Sequence, residues 1–155
     1  MRLIAEGRGI YILLINVRED IKIYLKNQKE WIIPRGIYFY VGSAKGPGGL
    51  KARINRHFRS EKNIHWHVDY LLSHPASRIT HVIYAETEEP ECILAPLLES
   101  YGYTHVIKGF GSSDCRHKCV SHLLRCSDET GKCLENAVLS FKKIVLSPVV
   151  VSISV

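Results

Sequence analysis

The chain has 155 residues, a formal net charge of +6 and a hydrophobic content of 46%. These values indicate one globular domain with a real core, and they exclude a disordered or fibrous chain. No apolar run approaches the roughly 20 residues of a membrane span, and residues 1–6 lack the form of a secretory signal. We therefore expect a cytoplasmic protein that does not enter a membrane. The positive charge favours an anionic partner without identifying it.

The first half of the chain is predicted to consist mainly of short strands. Residues 9–17 are apolar at nearly every position, which is typical of a central strand covered on both faces. Residues 21–25 alternate between apolar and polar side chains and predict a half-exposed strand. A turn signal at residues 34–36 precedes another predicted strand at residues 37–42.

A helix is predicted over residues 50–59, directly after a loop with three glycines at residues 43–49. The apolar positions of this helix recur four residues apart and form its buried stripe: Leu50, Ile54 and Phe58. Arg53 and His57 are also four residues apart, so their side chains lie on one edge of that stripe.

The second half is predicted to alternate helices with strands. Acidic residues and a proline begin a helix over residues 88–101, and Pro96 should kink or split it. The other predicted elements are a helix beginning within residues 65–72, a strand at 79–84, a short strand at 106–107 and a short helix at 119–125. The fold class is therefore mixed α/β, with a small mixed or antiparallel sheet of about three to four strands flanked by helices.

Two short strings point to a known family. Residues 9–11 read Gly-Ile-Tyr and residues 40–42 read Tyr-Val-Gly. A second Gly-Ile-Tyr at residues 36–38 cannot be the partner string, because Tyr38 and Tyr40 share one strand and one face. Two tyrosines on adjacent strands followed by a basic helix resemble the GIY-YIG nucleases.

The resemblance extends over roughly residues 9–124 and is similar to the Uri-type branch of that superfamily, small and mainly prokaryotic proteins formerly grouped as a domain of unknown function. Its segments are residues 40–57, 65–72, 91–92, 109–115 and 121–123. The resemblance implies a metal-dependent endonuclease that hydrolyses DNA phosphodiester bonds, leaves 5′-phosphate and 3′-hydroxyl ends and acts in DNA repair.

The resemblance also implies roles for five side chains. Tyr11 would help to activate a water molecule, and Tyr40 would position water or phosphate. Arg53 would bind phosphate, since a guanidinium fork matches phosphate oxygens, and His57 would contact phosphate or orient a tyrosine. Glu91 would hold one divalent cation, Mg²⁺ or Mn²⁺, because hard cations take oxygen ligands and keep several waters. A tyrosine with a pKa near 10 is a weak base at neutral pH, so Tyr11 would need a nearby cation.

Each of these residues also has an ordinary structural interpretation. Strand tyrosines can pack the core, and a helix arginine or histidine can be solvated or lie at the core edge. An acidic residue near a helix start is stabilised by the helix dipole, which Glu88 and Glu89 would satisfy as well as Glu91. Only the resemblance and the following Cys92 single out Glu91.

Four further basic residues surround the glycine-rich loop and the helix: Lys45, Lys51, Arg56 and Arg59. They are candidates for contacts with a nucleic-acid backbone, which fix position without reading sequence. The alternative is an ordinary charged face, with Arg56 and Arg59 pointing to solvent. Residues 46–49 are not a phosphate-binding Walker loop, and we expect them to bring backbone close to substrate or to the helix start.

The histidines and cysteines leave further alternatives open. His65, His67 and Asp69 could be drawn as a metal site, but packing around Trp66 and Tyr70 is the preferred interpretation. The candidate zinc ligands are Cys115, Cys119, His122 and Cys126. Their spacing is irregular for a zinc ribbon or finger, so packing or a disulfide competes with zinc.

Several site-edge residues and the end of the chain carry weaker expectations. Asp114 and His122 are candidates for the site edge. A late asparagine of the family has no clear counterpart, since Asn136 lies beyond the matching region; either Ser113 or His122 takes its place, or nothing does. We assign residues 1–126 to the nuclease-like domain and residues 127–155 to an extension, packed on that domain or at the edge of a homodimer. The alternative functions are a non-cleaving nucleic-acid-binding module and a zinc-stabilised interaction domain.

Overall fold

The computed structural model describes residues 4–59, 63–112, 115, 119–127 and 131–153. Seven strands are described, β1 Gly9–Val17, β2 Ile21–Tyr24, β3 Glu30–Ile33, β4 Gly36–Ala44, β5 Ser77–Glu86, β6 Leu123–Cys126 and β7 Val149–Ser152. The described helices are α1 Gly49–Phe58, α2 His67–Leu72, α3 Leu94–Glu99 and α4 Cys133–Lys142, with a 3₁₀ turn at Glu91–Ile93. Within this part of the chain, no helix is both long and apolar enough to cross a membrane.

The predicted mixed α/β class is confirmed, and β1 is the central strand that its apolar sequence predicts. The main sheet has the order β6-β4-β1-β5-β7, and every neighbouring pair is antiparallel. In the β1–β4 pair, Tyr11 lies opposite Gly42 and Leu13 lies opposite Tyr40. The two tyrosine strings are therefore side by side. Strands β2 and β3 form a separate two-stranded sheet.

Alternate residues of β1 enter two different cores. Tyr11, Leu13 and Ile15 pack with apolar residues of α1, α2 and the β2–β3 pair. Ile10, Ile12 and Leu14 face the opposite way and pack with α3 and α4. The sheet thus has helices on both faces, which explains why β1 has an apolar side chain at almost every position.

Two of the predicted elements differ from the structure, and a third is split as expected. The predicted helix at residues 119–125 is wrong, because residues 123–126 form β6 against β4, which also makes the main sheet one strand wider than expected. Residues 106–107 lie in turns rather than in a strand. The helix predicted over residues 88–101 is split, and Pro96 is the third residue of α3. There its missing N–H costs no intrahelical hydrogen bond.

Helix α4 and strand β7, which follow residue 126, pack against the same sheet. Strand β7 pairs with the outer side of β5, from Tyr84 opposite Val149 to His81 opposite Ser152. In α4, Ala137 and Phe141 are fully buried in the core that also contains α3. A homodimer through this end of the chain stays a prediction.

The packing of α4 predicts the effect of a core truncation. Phe141→Ala should lower the free energy of unfolding by about 3–5 kcal/mol, because it removes a buried aromatic ring and leaves a cavity. Leu139→Ala is the control on the same helix, since Leu139 is 43% exposed, and its effect should stay near 1 kcal/mol or below, about the average for a point substitution. Urea denaturation under oxidising conditions measures both, and equal losses would contradict the burial of Phe141.

Candidate functional site

A cleft of about 500 Å³ opens where β1 and β4 approach α1 and the 3₁₀ turn. Its lining includes Tyr11, Tyr40, Lys45, Arg53, Trp66 and Glu91. The structure therefore brings four of the five predicted catalytic residues to one place. The fifth, His57, lies directly behind Tyr11.

The Tyr11 hydroxyl and the His57 imidazole form a buried pair. Their Oη and Nε2 atoms are 2.6 Å apart, and the two side chains are 1% and 3% exposed. Burial raises the pKa of Tyr11 well above its ordinary value, and the nearby Tyr40 and Glu91 raise it further, while Arg53 opposes them. Tyr11 is thus a neutral hydroxyl near pH 7, with His57 fixing its direction.

Gly42 makes room for this pair. A Cβ atom added at Gly42 would lie 2.5 Å from the ring of Tyr11, closer than real Cβ atoms approach other heavy atoms. Gly42, the glycine of the Tyr-Val-Gly string, is therefore required for the ring of Tyr11 to fit. Tyr11 belongs to the Gly-Ile-Tyr string and lies opposite Gly42 in the β1–β4 pair.

Arg53 is held at the cleft by two contacts. Its Nη1 donates to the Ser43 carbonyl oxygen at 2.9 Å, and its guanidinium carbon lies 4.3 Å from the ring centre of Trp66. Arg56 lies 4.1 Å from the same ring. Such cation–π contacts restrain a guanidinium without neutralising it. No local pattern predicts this role of Trp66, which is 13 residues from Arg53.

The prediction that Arg56 points to solvent is wrong. Its guanidinium donates to both carboxylate oxygens of Asp69 at 2.9 Å, and Asp69 is fully buried. Burial alone would raise the pKa of Asp69, but hydrogen bonds from Arg56 and from the backbone N–H groups of Trp66 and His65 outweigh it and lower the pKa. Arg56 and Asp69 therefore stabilise the wall of the cleft.

The same contacts argue against a metal site at His65, His67 and Asp69, in line with the preferred interpretation. Asp69 accepts from Arg56 and from backbone, whereas His67 Nδ1 accepts from the N–H of Gly111 at 2.8 Å. The His65 ring packs on Trp66.

The other predicted basic contacts are divided between two places. Lys45 lines the cleft, and its Nζ donates to the carbonyl oxygens of Thr87 and Glu89 at 2.6 and 3.1 Å. Lys51 forms an ion pair with Glu6 at 3.5 Å and lies, with Arg59, in a separate depression along α1. Of Lys45, Lys51 and Arg59, only Lys45 lines the cleft that contains the predicted catalytic residues.

The glycine-rich loop brings backbone to the helix start. At the beginning of α1, the N–H of Leu50 donates to Gly7 and that of Lys51 donates to Ala5, at 2.8 and 2.9 Å. Gly49 has a φ of +59°, and a side chain there would clash with the backbone carbonyl oxygens of Glu6 and Gly7. These N–H groups bind protein carbonyls, so this helix start is not a phosphate cradle.

Glu91 lies in the first turn after Pro90, and its side chain is 20% exposed. Its carboxylate lines the cleft with Tyr11 and Tyr40, and Oε1 is 4.0 Å from Nε2 of His122. Glu88 and Glu89 are exposed. The fold thus distinguishes Glu91 from its two acidic neighbours, which the helix-dipole argument could not do.

The predicted zinc set is wrong at one position. Cys126 forms a disulfide with Cys133, and Cys92 takes its place in the cluster. The possible ligand atoms of Cys92, Cys115, Cys119 and His122 all lie within 4.8 Å of one another, close enough to bind a metal. Cys92 and Cys119 are joined as a disulfide. The sequence interpretation missed Cys92 because it is 23 residues from Cys115 along the chain.

Of the site-edge candidates, His122 lines the cleft, whereas Asn136 lies elsewhere. Nδ2 of Asn136 donates to the hydroxyl of Tyr103 at 2.8 Å, in the core that contains α3 and α4. Ser113 and Asp114 lie outside the described residues.

Comparison with known proteins adds a family. Residues 10–143 match the model of a family described as domain of unknown function DUF123, and this span is most of the chain. No curated protein and no solved structure matches. The family description names no activity, so any functional conclusion rests on the site.

The buried Arg56–Asp69 pair predicts a stability effect. Asp69→Asn should lower the free energy of unfolding at pH 7 by about 3–5 kcal/mol, because it leaves a partly buried guanidinium without its counter-charge. Since the pKa of Asp69 is lowered by folding, its stabilisation is present above the unfolded pKa of about 3.9 and is lost as pH falls through the folded pKa.

Urea denaturation at several pH values checks this expectation. The difference between wild type and Asp69→Asn should shrink below about pH 4. Glu6→Gln is the matched control, because Glu6 belongs to an exposed ion pair with Lys51 and should change stability by about 0–1 kcal/mol. A loss in Glu6→Gln as large as that in Asp69→Asn would show that the buried pair has no special weight.

Proposed function

The chain belongs to the DUF123 family, and we propose that it is a metal-dependent endonuclease that hydrolyses phosphodiester bonds in DNA. The observation that carries the proposal is the convergence of Tyr11, Tyr40, Arg53 and Glu91 in one cleft. We further propose that it is a nuclease of the GIY-YIG type. The pairing of β1 with β4 supports this, because it places the two tyrosine strings side by side.

The donor chemistry at Glu91 fits a hard divalent cation. A carboxylate at a water-accessible cleft wall is the usual protein ligand of Mg²⁺ or Mn²⁺, which keep several waters and need few protein ligands. A bound cation would polarise the phosphate and neutralise charge at the leaving oxygen. The thiols and imidazole close to Glu91 are softer ligands that such a cation does not prefer.

The chain's own residues would position the substrate. Arg53 presents a guanidinium whose direction is fixed by Ser43 and Trp66, and a guanidinium fork matches the oxygens of a phosphate. Lys45 adds a second positive charge at the same cleft. A restrained donor loses less conformational freedom on binding, so both contacts favour a defined phosphate position.

Tyr11 would orient the attacking water. The pKa of Tyr11 is raised, so its hydroxyl is protonated near neutral pH and cannot act as a strong base by itself. In that state it can hydrogen-bond to water while His57 holds the ring in place. Taking a proton from the water would require the positive charge of a nearby cation to lower the pKa of the tyrosine.

The first test is cleavage of end-labelled single-stranded, duplex and flap DNA with Mg²⁺ or Mn²⁺. Wild type should cleave at least one of these substrates, and Glu91→Gln should lose cleavage by about 100-fold or more, because an amide is a poor ligand for a hard cation. Glu88→Gln is the matched control, with the same change in charge at an exposed neighbouring position outside the cleft lining.

The outcomes separate the proposal from its alternatives. Metal-dependent cleavage that survives in Glu88→Gln and disappears in Glu91→Gln supports the nuclease. Binding without cleavage by wild type, on every substrate and with either metal, would replace it with a non-cleaving nucleic-acid-binding module. If wild type neither binds nor cleaves any of these DNA substrates, the result would favour an interaction domain.

Tyr11 provides a second prediction. Tyr11→Phe should lower kcat by about 10²–10⁴-fold, because it removes a hydroxyl assigned to proton handling, and should leave DNA affinity nearly unchanged. Tyr38→Phe is the control, since that hydroxyl is also in the core region but donates to the Pro34 carbonyl at 2.6 Å, outside the cleft lining. Single-turnover cleavage and filter binding measure the two quantities. Equal losses of kcat would remove Tyr11 from the mechanism.

A further inference from the structure

Behind Glu91, three cysteines and one histidine from two distant segments meet. Cys92 follows Glu91 in the 3₁₀ turn, whereas Cys115, Cys119 and His122 precede β6. The Sγ atom of Cys92 lies 3.0 Å from Sγ of Cys115 and 3.2 Å from Nε2 of His122. Cys92 and His122 are 6% and 5% exposed. This set borders the cleft, since Cys115 and His122 also line it and Nε2 of His122 is 4.0 Å from Oε1 of Glu91. Its sulfur and imidazole ligands differ in type from the carboxylate oxygen proposed for the nuclease cation.

The distances suit a tetrahedral ion with soft ligands. A zinc ion bound by thiolates at about 2.3 Å in tetrahedral geometry places its sulfur atoms about 3.8 Å apart. The four ligand atoms here all lie within 4.8 Å of one another, so movements of about an ångström or less would give that geometry. Three cysteines and one histidine are also a common ligand set of structural zinc sites.

We propose that the reduced chain binds one Zn²⁺ through Cys92, Cys115, Cys119 and His122, and that the Cys92–Cys119 disulfide is the alternative, zinc-free state of the same cluster. The two states exclude each other because a disulfide sulfur is not a thiolate ligand. The free thiol of Cys115 and the imidazole of His122 are already beside Cys92 in the disulfide state.

Thiol–disulfide exchange with a dithiol connects the two states. A dithiol supplies two electrons and two protons to the Cys92–Cys119 bond, which becomes two thiols, while the dithiol becomes a disulfide. Zinc then binds three thiolates and neutral His122, and the three thiol protons pass to solvent. The Cys126–Cys133 disulfide is not part of this exchange, because it lies outside the cluster.

The test measures zinc in the full-length chain, without DNA and without a cleavage assay. Protein reduced with a phosphine and protein oxidised to its disulfides are each given Zn²⁺, freed of excess ion and analysed for bound metal. The reduced form should hold one zinc per chain and the oxidised form none. Co²⁺ in place of Zn²⁺ should give the thiolate-to-cobalt charge-transfer band and intense tetrahedral bands in the reduced form.

Cys115→Ser is the decisive variant, because Cys115 takes part in neither disulfide and its replacement leaves both intact. It should weaken zinc binding by more than the about 10- to 100-fold typical of losing an outer-shell partner. The double variant Cys126→Ser with Cys133→Ser is the matched control, and it should bind one zinc as wild type does.

The proposal is overturned if reduced wild type holds no zinc, if the oxidised form holds as much as the reduced form, or if Cys115→Ser binds as tightly as wild type. The comparison of the two wild-type redox states needs no variant and does not depend on the folding of any mutant. A nuclease that cleaves DNA but binds no zinc would sink this inference and leave the proposed function standing.

Discussion

A phenol placed in the core must have a hydrogen-bond partner, and for Tyr11 that partner is His57. This requirement connects the central strand β1 to α1. It also explains Gly42, because any larger residue opposite Tyr11 would occupy the space of its ring. Tyr11 and Gly42 belong to adjacent strands, and His57 lies in the helix that follows β4. Together with the buried apolar residues of α1, the contact between Tyr11 and His57 holds this helix, which carries Arg53, over the sheet.

A second set of contacts fixes the outer wall of the cleft. The buried Asp69 requires a counter-charge, and Arg56 supplies it through two hydrogen bonds. Trp66, three residues before Asp69, contacts both Arg56 and Arg53 through its ring. A buried charge in α2 is thereby connected to the direction of a cationic side chain in the cleft. The direction of Arg53 therefore depends on Trp66, a residue of the cleft lining, and through Trp66 on the buried Arg56–Asp69 pair.

Local sequence patterns predict an element well when the pattern itself determines which faces of the element are buried. Continuous apolarity placed β1 at the centre of the sheet, and the four-residue repeat gave α1 and its buried face. The apolar pair Leu123-Leu124 was assigned to a helix, because a run this short has no decisive period and only its pairing with β4 makes it a strand. Trp66 and Cys92 were not predicted as site residues for a related reason. Their roles arise from residues 13 and 23 positions away, which chain-local patterns do not report.

The adjacency of Glu91 and Cys92 is the point at which the two proposed sites meet. A carboxylate and a cysteine sulfur lie on consecutive residues of a single 3₁₀ turn. The two sites would bind different metals, because Mg²⁺ or Mn²⁺ prefers oxygen ligands whereas zinc accepts sulfur and imidazole. A three-residue turn has few hydrogen bonds of its own to fix the position of the Glu91 carboxylate. The Cys92–Cys119 disulfide adds a restraint directly beside Glu91, and in the proposed reduced state a zinc ion would connect the same two segments.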